Sequence, residues 1–304
     1  MRRHKPNDPR DPRASTLLVP SDSYERGDFV LLGLPFDSSI PSRPGAKLGP
    51  AAFRDALPTL TTFGRSVELS EARVCHDLGD LDLPSTSVRV SHERVQAASR
   101  ALFTRGAIPF FIGGDNGLTG ALLRGLADAR PSLRLGLVVI DSHYDVREYD
   151  DEDSLSSGTP YRRALETPIC SGGWLWILGT REFANSSYYD RYLQEQGVRT
   201  VTVDEFDSRP ARDIARAVRE DLEAQCDALF LSIDIDAVEL PGSSAAAPGT
   251  LTTREAIAIV REIASSPKLI GCDLSELSPP YDESGLTAKL AARLFLEVLA
   301  ARTT

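Results

Sequence analysis

The chain alternates between short runs of consecutive apolar residues and longer segments with helical periodicity, which strongly limits the folds open to it. The strand-like runs are Phe29–Leu34, Ile108–Ile112, Leu135–Ile140, Trp174–Leu178, Arg199–Val203, Ala228–Ile233 and Leu269–Cys272. The helix-like segments are Pro50–Leu57, Ser91–Arg105, Thr119–Ala129, Thr159–Glu166, Ser187–Gln196, Ala211–Gln225, Thr252–Ala264 and Leu286–Ala301. Strands that are apolar at every position are typical of a parallel sheet covered by helices on both faces. We therefore predict an α/β protein with three layers, α/β/α, around a mostly parallel central sheet.

Two acidic clusters lie at the carboxyl ends of two of these runs. Asp141, His143 and Asp145 follow the run that ends at residue 140, and Asp234 and Asp236 follow the run that begins at residue 228. Residues two apart project to one side of an extended backbone, so each cluster is expected to present its charges together. Buried carboxylates need a compensating charge, and oxygens with one imidazole suit Mn²⁺ or Mg²⁺ better than Zn²⁺. The clusters therefore predict a metal site with two metals, at the sheet edge where ligands bind in such folds.

The overall composition excludes several classes of partner. The chain has 304 residues, of which 41% are hydrophobic and 26% charged, as in ordinary globular proteins. Its formal charge of −10 argues against binding to nucleic acid or to an anionic membrane surface. No apolar stretch approaches the length of a membrane span. The four cysteines lie far apart and form no CxxC pair, so we expect reduced thiols in a cytoplasmic protein.

The first 27 residues differ from the rest of the chain. They are rich in Arg, Asp and Pro and lack the apolar core of a signal peptide, so we expect a flexible N-terminal tail at residues 1–27. From residue 28 to residue 304 the alternation continues without a linker or a repeat. This continuity predicts a single α/β domain over residues 28–304.

Six short motifs occur in the order in which they occur in a known family. They are GLPFD at 33–37, RPGAKLGP at 43–50, IGGDN at 112–116, DSHYD at 141–145, SIDID at 232–236 and ELSP at 276–279. On these motifs the chain resembles the ureohydrolases, which comprise arginases, agmatinases, guanidino-acid hydrolases and formimidoylglutamases. The resemblance covers roughly residues 29–302, and it implies an arginase-like fold.

The resemblance also implies a role for each residue of the two clusters. Asp141 and Asp234 would bridge two metal ions, Asp145 would bind the first ion, and His143 and Asp236 would bind the second. The implied cofactor is Mn²⁺, with one or two ions per chain. A hydroxide held between two metals is a strong nucleophile at neutral pH, and Asp145 would accept and carry the proton.

Asn116 departs from the family pattern, which has a histidine ligand of the first metal at this position. An amide oxygen suits Mn²⁺, Mg²⁺ or Ca²⁺ but binds a transition metal more weakly than imidazole does. Either Asn116 binds the metal, or the first site is weak or empty, or hydrolytic activity is lost. We favour binding or weakened occupancy, because every other ligand position is filled.

Ser157 marks a second departure, because arginases and agmatinases usually have a histidine here. The formimidoylglutamase branch is more similar, with Ser-Gly-Thr after an Asp-x-Arg such as the one that ends at Arg147. Arg147 would then bind a substrate carboxylate through its bidentate fork, with Ser157 beside it. Alternatively, Arg147 pairs on the surface with the acidic residues that follow it: Glu148, Asp150, Asp151, Glu152 and Asp153.

We therefore expect a metal-dependent hydrolase that cleaves a C–N bond of a guanidino compound and releases urea. Asp145 and Glu276 are the expected catalytic residues, with Glu276 orienting the planar cationic group of the small-molecule substrate by paired hydrogen bonds. A formimidoylglutamase-like hydrolase that releases formamide is one alternative, and a catalytically impaired metal-binding or subunit homologue is another. The resemblance further implies a homo-oligomer, either a trimer or a hexamer.

Overall fold

The computed structural model describes residues 8–64, 67–72, 74–149 and 155–301. The strands are β1 (Leu18–Pro20), β2 (Phe29–Leu34), β3 (Phe63–Gly64), β4 (Val67–Glu68), β5 (Cys75–Asp80), β6 (Ile108–Gly113), β7 (Leu135–Ile140), β8 (Leu175–Thr180), β9 (Arg199–Thr202), β10 (Ala228–Asp234) and β11 (Leu269–Ser275). The α-helices are α1 (Gly49–Ala56), α2 (Leu69–Ala72), α3 (Val88–Arg105), α4 (Gly117–Ala129), α5 (Pro160–Leu165), α6 (Ser187–Gln196), α7 (Val203–Ser208), α8 (Ala211–Gln225), α9 (Thr253–Ala264) and α10 (Leu286–Ala301). Short 3₁₀ helices lie at Ala14–Leu17, Ala46–Leu48, Leu57–Thr59, Gly172–Trp174, Ile235–Ala237 and Pro279–Tyr281.

A central parallel sheet organises the molecule. Within the described ranges it has nine strands in the order β1-β5-β2-β6-β11-β10-β7-β8-β9, and every pairing is parallel. Strands β2, β7 and β10 are buried at every position, because both sheet faces are covered. One apolar cluster joins the sheet to α1, α8, α9 and α10, and a second joins its other face to α3, α4, α5 and α6. The predicted three-layer α/β/α architecture is confirmed.

The sequence patterns locate most elements but miss the strands that carry polar residues. Helices α6, α8 and α10 have the predicted bounds, and the Thr252–Glu255 pair forms the reciprocal capping box that its spacing indicates. Strand β5 was not predicted, because His76, Asp77 and Asp80 interrupt its apolar character. The predicted strand at 199–203 ends one residue early, since a capping box starts α7 there.

The prediction of a flexible tail at residues 1–27 was wrong for the segment from Ala14 to Pro20. Ala14 and Leu17 are 0% and 1% exposed and pack into the same apolar cluster as Cys75. Strand β1 then pairs in parallel with β5, with Leu18 opposite Cys75. The segment therefore belongs to the folded body. Its few apolar residues were obscured by the polar composition around them.

Two further expectations concern the redox state of the cysteines and the presence of a membrane-spanning helix. All four cysteines are buried and free, as expected for reduced thiols. Among the residues that the structure describes, no helix combines the length and the apolar character needed to cross a membrane.

Two arginines around one buried carboxylate link α9 to α10. The carboxylate of Glu297 on α10, whose side chain is 3% exposed, accepts hydrogen bonds from Arg261 Nε at 2.8 Å and Nη2 at 2.9 Å. It also accepts bonds from Arg293 Nε at 2.8 Å and Nη2 at 2.6 Å. Burial on its own raises the pKa of Glu297, but the hydrogen bonds from the two guanidinium groups outweigh it, so the pKa is lowered.

We expect Glu297→Gln to lower the free energy of unfolding at neutral pH by about 2 kcal/mol, because charge-assisted bonds to a buried carboxylate are lost. A carboxylate with a lowered folded-state pKa contributes stability above its unfolded pKa and loses it as the pH falls through the folded pKa. The difference from wild type should therefore shrink on acidification. Urea unfolding at a series of pH values measures it, with Glu195→Gln on the exposed side of α6 as the control. An equal loss in both variants, or a Glu297→Gln deficit that grows on acidification, would contradict this account.

Candidate metal centre and active site

The site is built where four neighbouring strands end. Asn116 lies between β6 and α4, Glu276 follows β11, Asp234 is the last residue of β10, and Asp141 follows β7. These strands are adjacent in the sheet order β6-β11-β10-β7, and their parallel register brings their carboxyl ends together at one edge. The two acidic clusters therefore lie at the carboxyl ends of the strands, where the sequence pattern predicts them.

Each acidic cluster is held by a turn around its first carboxylate. Asp141 Oδ1 accepts a hydrogen bond from the backbone N–H of His143 at 2.7 Å, and Asp234 Oδ1 accepts one from that of Asp236 at 2.9 Å. The expectation of an extended backbone through the clusters was wrong, because β7 ends before Asp141 and Asp236 lies in a 3₁₀ helix. The charges converge because the backbone turns towards the first carboxylate.

The turns produce two groups of potential ligand atoms. Asp141, His143 and Asp236 form one group, and Asp141, Asp145 and Asp234 form the other; within each, the ligand atoms lie within 4.8 Å of one another. His143 Nδ1 is 3.5 Å from Asp141 Oδ1 and 3.3 Å from Asp236 Oδ2. The structure thus brings together the five Asp and His residues singled out in the sequence, with Asp141 common to both groups.

Burial shifts the pKa values of the groups in this cluster. Asp141 is 0% exposed and Asp234 2% exposed. Burial raises the pKa of Asp141 to about 6 and, together with repulsion between the carboxylates, holds the pKa values of Asp145 and Asp234 well above the ordinary range. Burial alone would lower the pKa of His143, but hydrogen bonds to Asp141 and Asp236 outweigh it and raise the pKa to about 11. The cluster therefore attracts positive charge strongly.

One buried oxygen of the cluster indicates what supplies that positive charge. Within the described residues, Asp236 Oδ1 is buried and has no hydrogen-bond partner. Leaving carboxylate oxygens buried and unpaired is costly, whereas a divalent cation satisfies several at once. Carboxylate oxygens with one imidazole nitrogen are a donor set that suits Mn²⁺ or Mg²⁺. The residues of the cluster fit such a cation.

Asn116 is fully buried beside the second ligand group. Its Nδ2 donates hydrogen bonds to Asp145 Oδ2 at 2.9 Å, to Asp141 Oδ2 at 3.3 Å and to Tyr161 Oη at 3.2 Å. Its backbone N–H donates to Glu276 Oε1 at 2.7 Å. Asn116 therefore contacts both acidic residues through its side chain and the expected catalytic Glu276 through its backbone.

The motifs do not single out three polar residues around Asn116. Tyr161 is fully buried, and Thr119 Oγ1 and Ser275 Oγ each donate to Asn116 Oδ1 at 3.2 Å. Thr119 also lies 2.6 Å from Asp273 Oδ2. The available signal was position alone, since Thr119 lies one turn beyond Asn116 and Tyr161 follows the Ser-Gly-Thr-Pro segment.

A cleft of about 240 Å³ opens onto the cluster, and its lining includes Asp145, Arg147, Ser157 and Glu276. The backbone N–H of Arg147 donates to the carbonyl of Gly158 at 2.8 Å, which fixes the loop that carries it. Of the acidic residues expected to compete for Arg147, Glu148 contacts Arg162 at 3.4 Å. Asp150, Asp151, Glu152 and Asp153 lie outside the described residues.

Two residues at the cleft have unusual backbone conformations. Asp145 has φ +44° and Glu276 has φ +64°, and with Phe183 they are the non-glycine residues of positive φ in the described part of the chain. Such conformations are costly for L-residues and persist where the surroundings hold them, as they often do at functional sites. Both residues were expected to be catalytic.

Comparisons with known proteins agree with this geometry. The model of the arginase family matches residues 27–301. The chain belongs to the arginase family.

Three relatives of this arginase-family protein illustrate the range of similarity. The formimidoylglutamase of Bacillus subtilis is 30% identical over 295 residues, which cover 94% of this chain and 91% of that protein. The crystal structure of the Bacillus subtilis formimidoylglutamase gives a TM-score of 0.93 at 27% identity and covers 100% of this chain and 95% of that chain. The human mitochondrial guanidino acid hydrolase is 30% identical over 293 residues, covering 94% and 82%. A Trypanosoma cruzi formiminoglutamase, solved with Mn²⁺, gives a TM-score of 0.85 at 26% identity, covering 97% and 99%. The chain is thus a hydrolase that acts on C–N bonds of linear amidines.

We expect Asp234→Asn to weaken Mn²⁺ binding by more than about 100-fold, because loss of even an outer-shell partner of a metal ligand costs 10–100-fold. Equilibrium titration and elemental analysis after dialysis measure the loss. Asp190→Asn is the matched control, since Asp190 accepts a bond from Tyr144 Oη near the site but belongs to neither ligand group. Full metal content in Asp234→Asn would show that this residue does not bind the metal.

Proposed function

We propose that the protein hydrolyses an amidine whose far end carries a carboxylate, with N-formimidoylglutamate as the first candidate, releasing formamide. The observation that carries this proposal is the position of Arg147. Arg147 is one of the residues that line the cleft, together with Asp145, Asp234 and Glu276. Relatives named formimidoylglutamase, from Bacillus subtilis and Halobacterium salinarum among others, support it.

Mn²⁺ is the proposed cofactor, held by Asp141, His143 and Asp236 in one position and by Asp141, Asp145 and Asp234 in the other. When bound, such ions make water a nucleophile at neutral pH. The solved relative with Mn²⁺ supports this choice of metal.

Asn116 would complete the second of these positions through its amide oxygen. The two ends of a primary amide have the same shape, so a half-turn about the last side-chain bond exchanges Oδ1 and Nδ2. After that turn Oδ1 faces Asp141 and Asp145, and Nδ2 faces the hydroxyl oxygens of Thr119 and Ser275, both of which can accept hydrogen bonds. The buried surroundings therefore accommodate Asn116 as a neutral oxygen ligand.

Asp145 and Glu276 would act on the substrate from two sides of the cleft. Asp145 is partly buried between the cluster and the cleft, where its carboxylate accepts the proton released from water and passes it to the leaving nitrogen. Glu276 keeps Oε1 on the backbone of Asn116, while Oε2 has no hydrogen-bond partner among the described residues and is free to bind a planar cation. Its buried carboxylate would orient the formimidoyl carbon towards the attacking water.

Arg147 would bind the carboxylate at the other end of the substrate. It is half-buried, and the absence of a side chain at Gly158 leaves room for it, since a Cβ there would lie 3.0 Å from Arg147 Cδ. A guanidinium group binds a carboxylate with paired hydrogen bonds. Ser157, which also lines the cleft, would add a hydroxyl contact.

A guanidino acid that releases urea is the second candidate. Glu276 can bind a guanidinium group as well as a formimidoyl group, because both are planar cations. The human relative named guanidino acid hydrolase supports it, and Arg147 would serve the same carboxylate.

The products separate these candidates. The Mn²⁺-loaded protein is incubated with N-formimidoylglutamate, 4-guanidinobutanoate and agmatine, and formamide and urea are measured. We expect formamide from the first compound at the highest kcat/KM. Urea from 4-guanidinobutanoate at a higher kcat/KM would favour the second candidate, a preference for agmatine would remove the role of the carboxylate, and no product from a fully metallated protein would indicate a catalytically impaired homologue.

We expect Arg147→Ala to raise KM for N-formimidoylglutamate a few tens-fold, because losing a charge-assisted contact costs about 2 kcal/mol. The effect falls on KM if the contact is equally strong in the ground and transition states. A formimidoyl alkylamine without a carboxylate should react equally with both proteins. Arg124→Ala is the control and should not change KM, because Arg124 lies on α4, is not part of the cleft lining and pairs with Glu166. An unchanged preference for the carboxylate in Arg147→Ala would refute this role.

A further inference from the structure

Two loops face each other across the cleft and contribute to its lining. The first loop, residues 35–45, contains most of the GLPFD motif and the start of the RPGAKLGP motif, and it supplies Pro41 and Ser42. The rim loop, residues 241–249, supplies Ser244 and Ala245. The functions proposed above leave the residues of the two early motifs without a task.

The first loop is tied to its own side of the site by several hydrogen bonds. Asp37 Oδ2 accepts a bond from the backbone N–H of Gly45 at 2.8 Å, which closes the loop on itself. Ser39 Oγ donates to the buried Asp115 at 2.8 Å, and the carbonyl of Ser39 accepts from the N–H of Ser157 at 3.2 Å. The first loop is thus a fixed support.

Arg43 extends from this support to the rim loop. Its Nη2 donates to the carbonyl of Ser243 at 2.8 Å, and its Nε donates to the carbonyl of Ser244 at 3.1 Å. The guanidinium carbon lies 4.1 Å from the centre of the Tyr281 ring, a cation–π distance. A planar guanidinium can make these contacts together, whereas a lysine ammonium cannot reproduce the fork.

The segment that Arg43 holds lies against the expected catalytic carboxylate. Ser243 and Ser244 are 0% and 3% exposed. Ser244 lines the cleft together with Glu276, and the neighbouring Ser243 forms an isolated antiparallel bridge with Leu277, the residue after Glu276. In this position the Ser244 hydroxyl opposes the rise in the pKa of Glu276 that burial causes. On the far side, the carbonyl of Gly242 accepts from the N–H of Ser278 at 2.8 Å. The rim loop is therefore held between Arg43 and the segment that follows Glu276.

We propose that Arg43 is a positioning residue that fixes Ser244 beside Glu276 and so sets the binding geometry for the planar cationic end of the substrate. The inference rests on the proposed function of Glu276. Arg43 acts through the two backbone carbonyls and does not touch the reacting atoms. Without Arg43, the rim loop keeps its bond to the segment that follows Glu276 but loses its bonds to the first loop. Ser244 then moves relative to Glu276.

The test combines kinetics with amide hydrogen exchange on the Mn²⁺-loaded protein. We expect Arg43→Ala to raise KM for N-formimidoylglutamate about tenfold with a smaller change in kcat, as for the loss of one or two hydrogen bonds. Metal content should stay at the wild-type value. Arg43→Lys should recover part of KM. Amides of residues 242–244 should exchange faster in Arg43→Ala, whether or not this compound is the substrate.

Arg105→Ala is the matched control. Arg105 makes the same kind of contact, with its guanidinium carbon 3.7 Å from the ring centre of Tyr24 and Nη2 donating to the Tyr24 carbonyl at 3.1 Å, at the end of α3 outside the cleft. It should change neither KM nor exchange at 242–244. A double-mutant cycle with Ser244→Ala should be non-additive, because both residues act on Glu276.

The outcomes distinguish this inference from the proposed function. Wild-type protein that hydrolyses none of the compounds would overturn the proposed function, and exchange at 242–244 would still decide whether Arg43 holds the loop. Unchanged exchange there in Arg43→Ala, an unchanged KM for the compound that wild type hydrolyses, or additive effects with Ser244→Ala would overturn the role of Arg43.

Discussion

Mutual repulsion among carboxylates buried at one edge of the sheet is the constraint on which the rest of the structure depends. The carboxyl groups belong to residues at the carboxyl ends of three adjacent strands or just beyond them: Asp141, Asp145, Asp234, Asp236 and Glu276. Burial at this density is unfavourable unless positive charge is supplied, and His143 supplies only part of it. The rigid parallel sheet holds the groups together, and the left-handed backbone at Asp145 and Glu276 adds to the cost of doing so. We therefore expect this cluster to bind a divalent cation.

The layers of the fold could be predicted from the sequence because burial on both faces makes the central strands apolar throughout. The same logic missed β5, whose polar residues make specific contacts: Arg54 on α1 donates to Asp77 at 2.8 Å and to Asp80 at 2.6 Å. It also missed the packing of Ala14 and Leu17, which depends on a surface provided by residues distant in the chain. Local periodicity does not record such contacts.

The candidate site also combines features that the local sequence predicts with features that depend on residues distant in the chain. The five Asp and His side chains that converge there could be singled out because their residue types suit metal binding and they lie at strand ends. The reason for their convergence could not be predicted, since the turns at Asp141 and Asp234 replace the extended backbone. The surroundings of Asn116 were also hidden. Thr119 and Ser275 lie on elements separated by more than a hundred residues, and they meet only because β6 and β11 pair in the sheet.

The most direct test of the account is the thermal unfolding of metal-free protein titrated with Mn²⁺. A ligand that binds the folded state stabilises it by RT ln(1 + [L]/Kd), and here the ion also relieves the repulsion between buried carboxylates. The account predicts a melting temperature that rises steadily with Mn²⁺ concentration, and a much smaller rise in Asp234→Asn. A melting temperature that does not change with Mn²⁺ in the wild-type protein would contradict the assignment of the cluster as a metal centre.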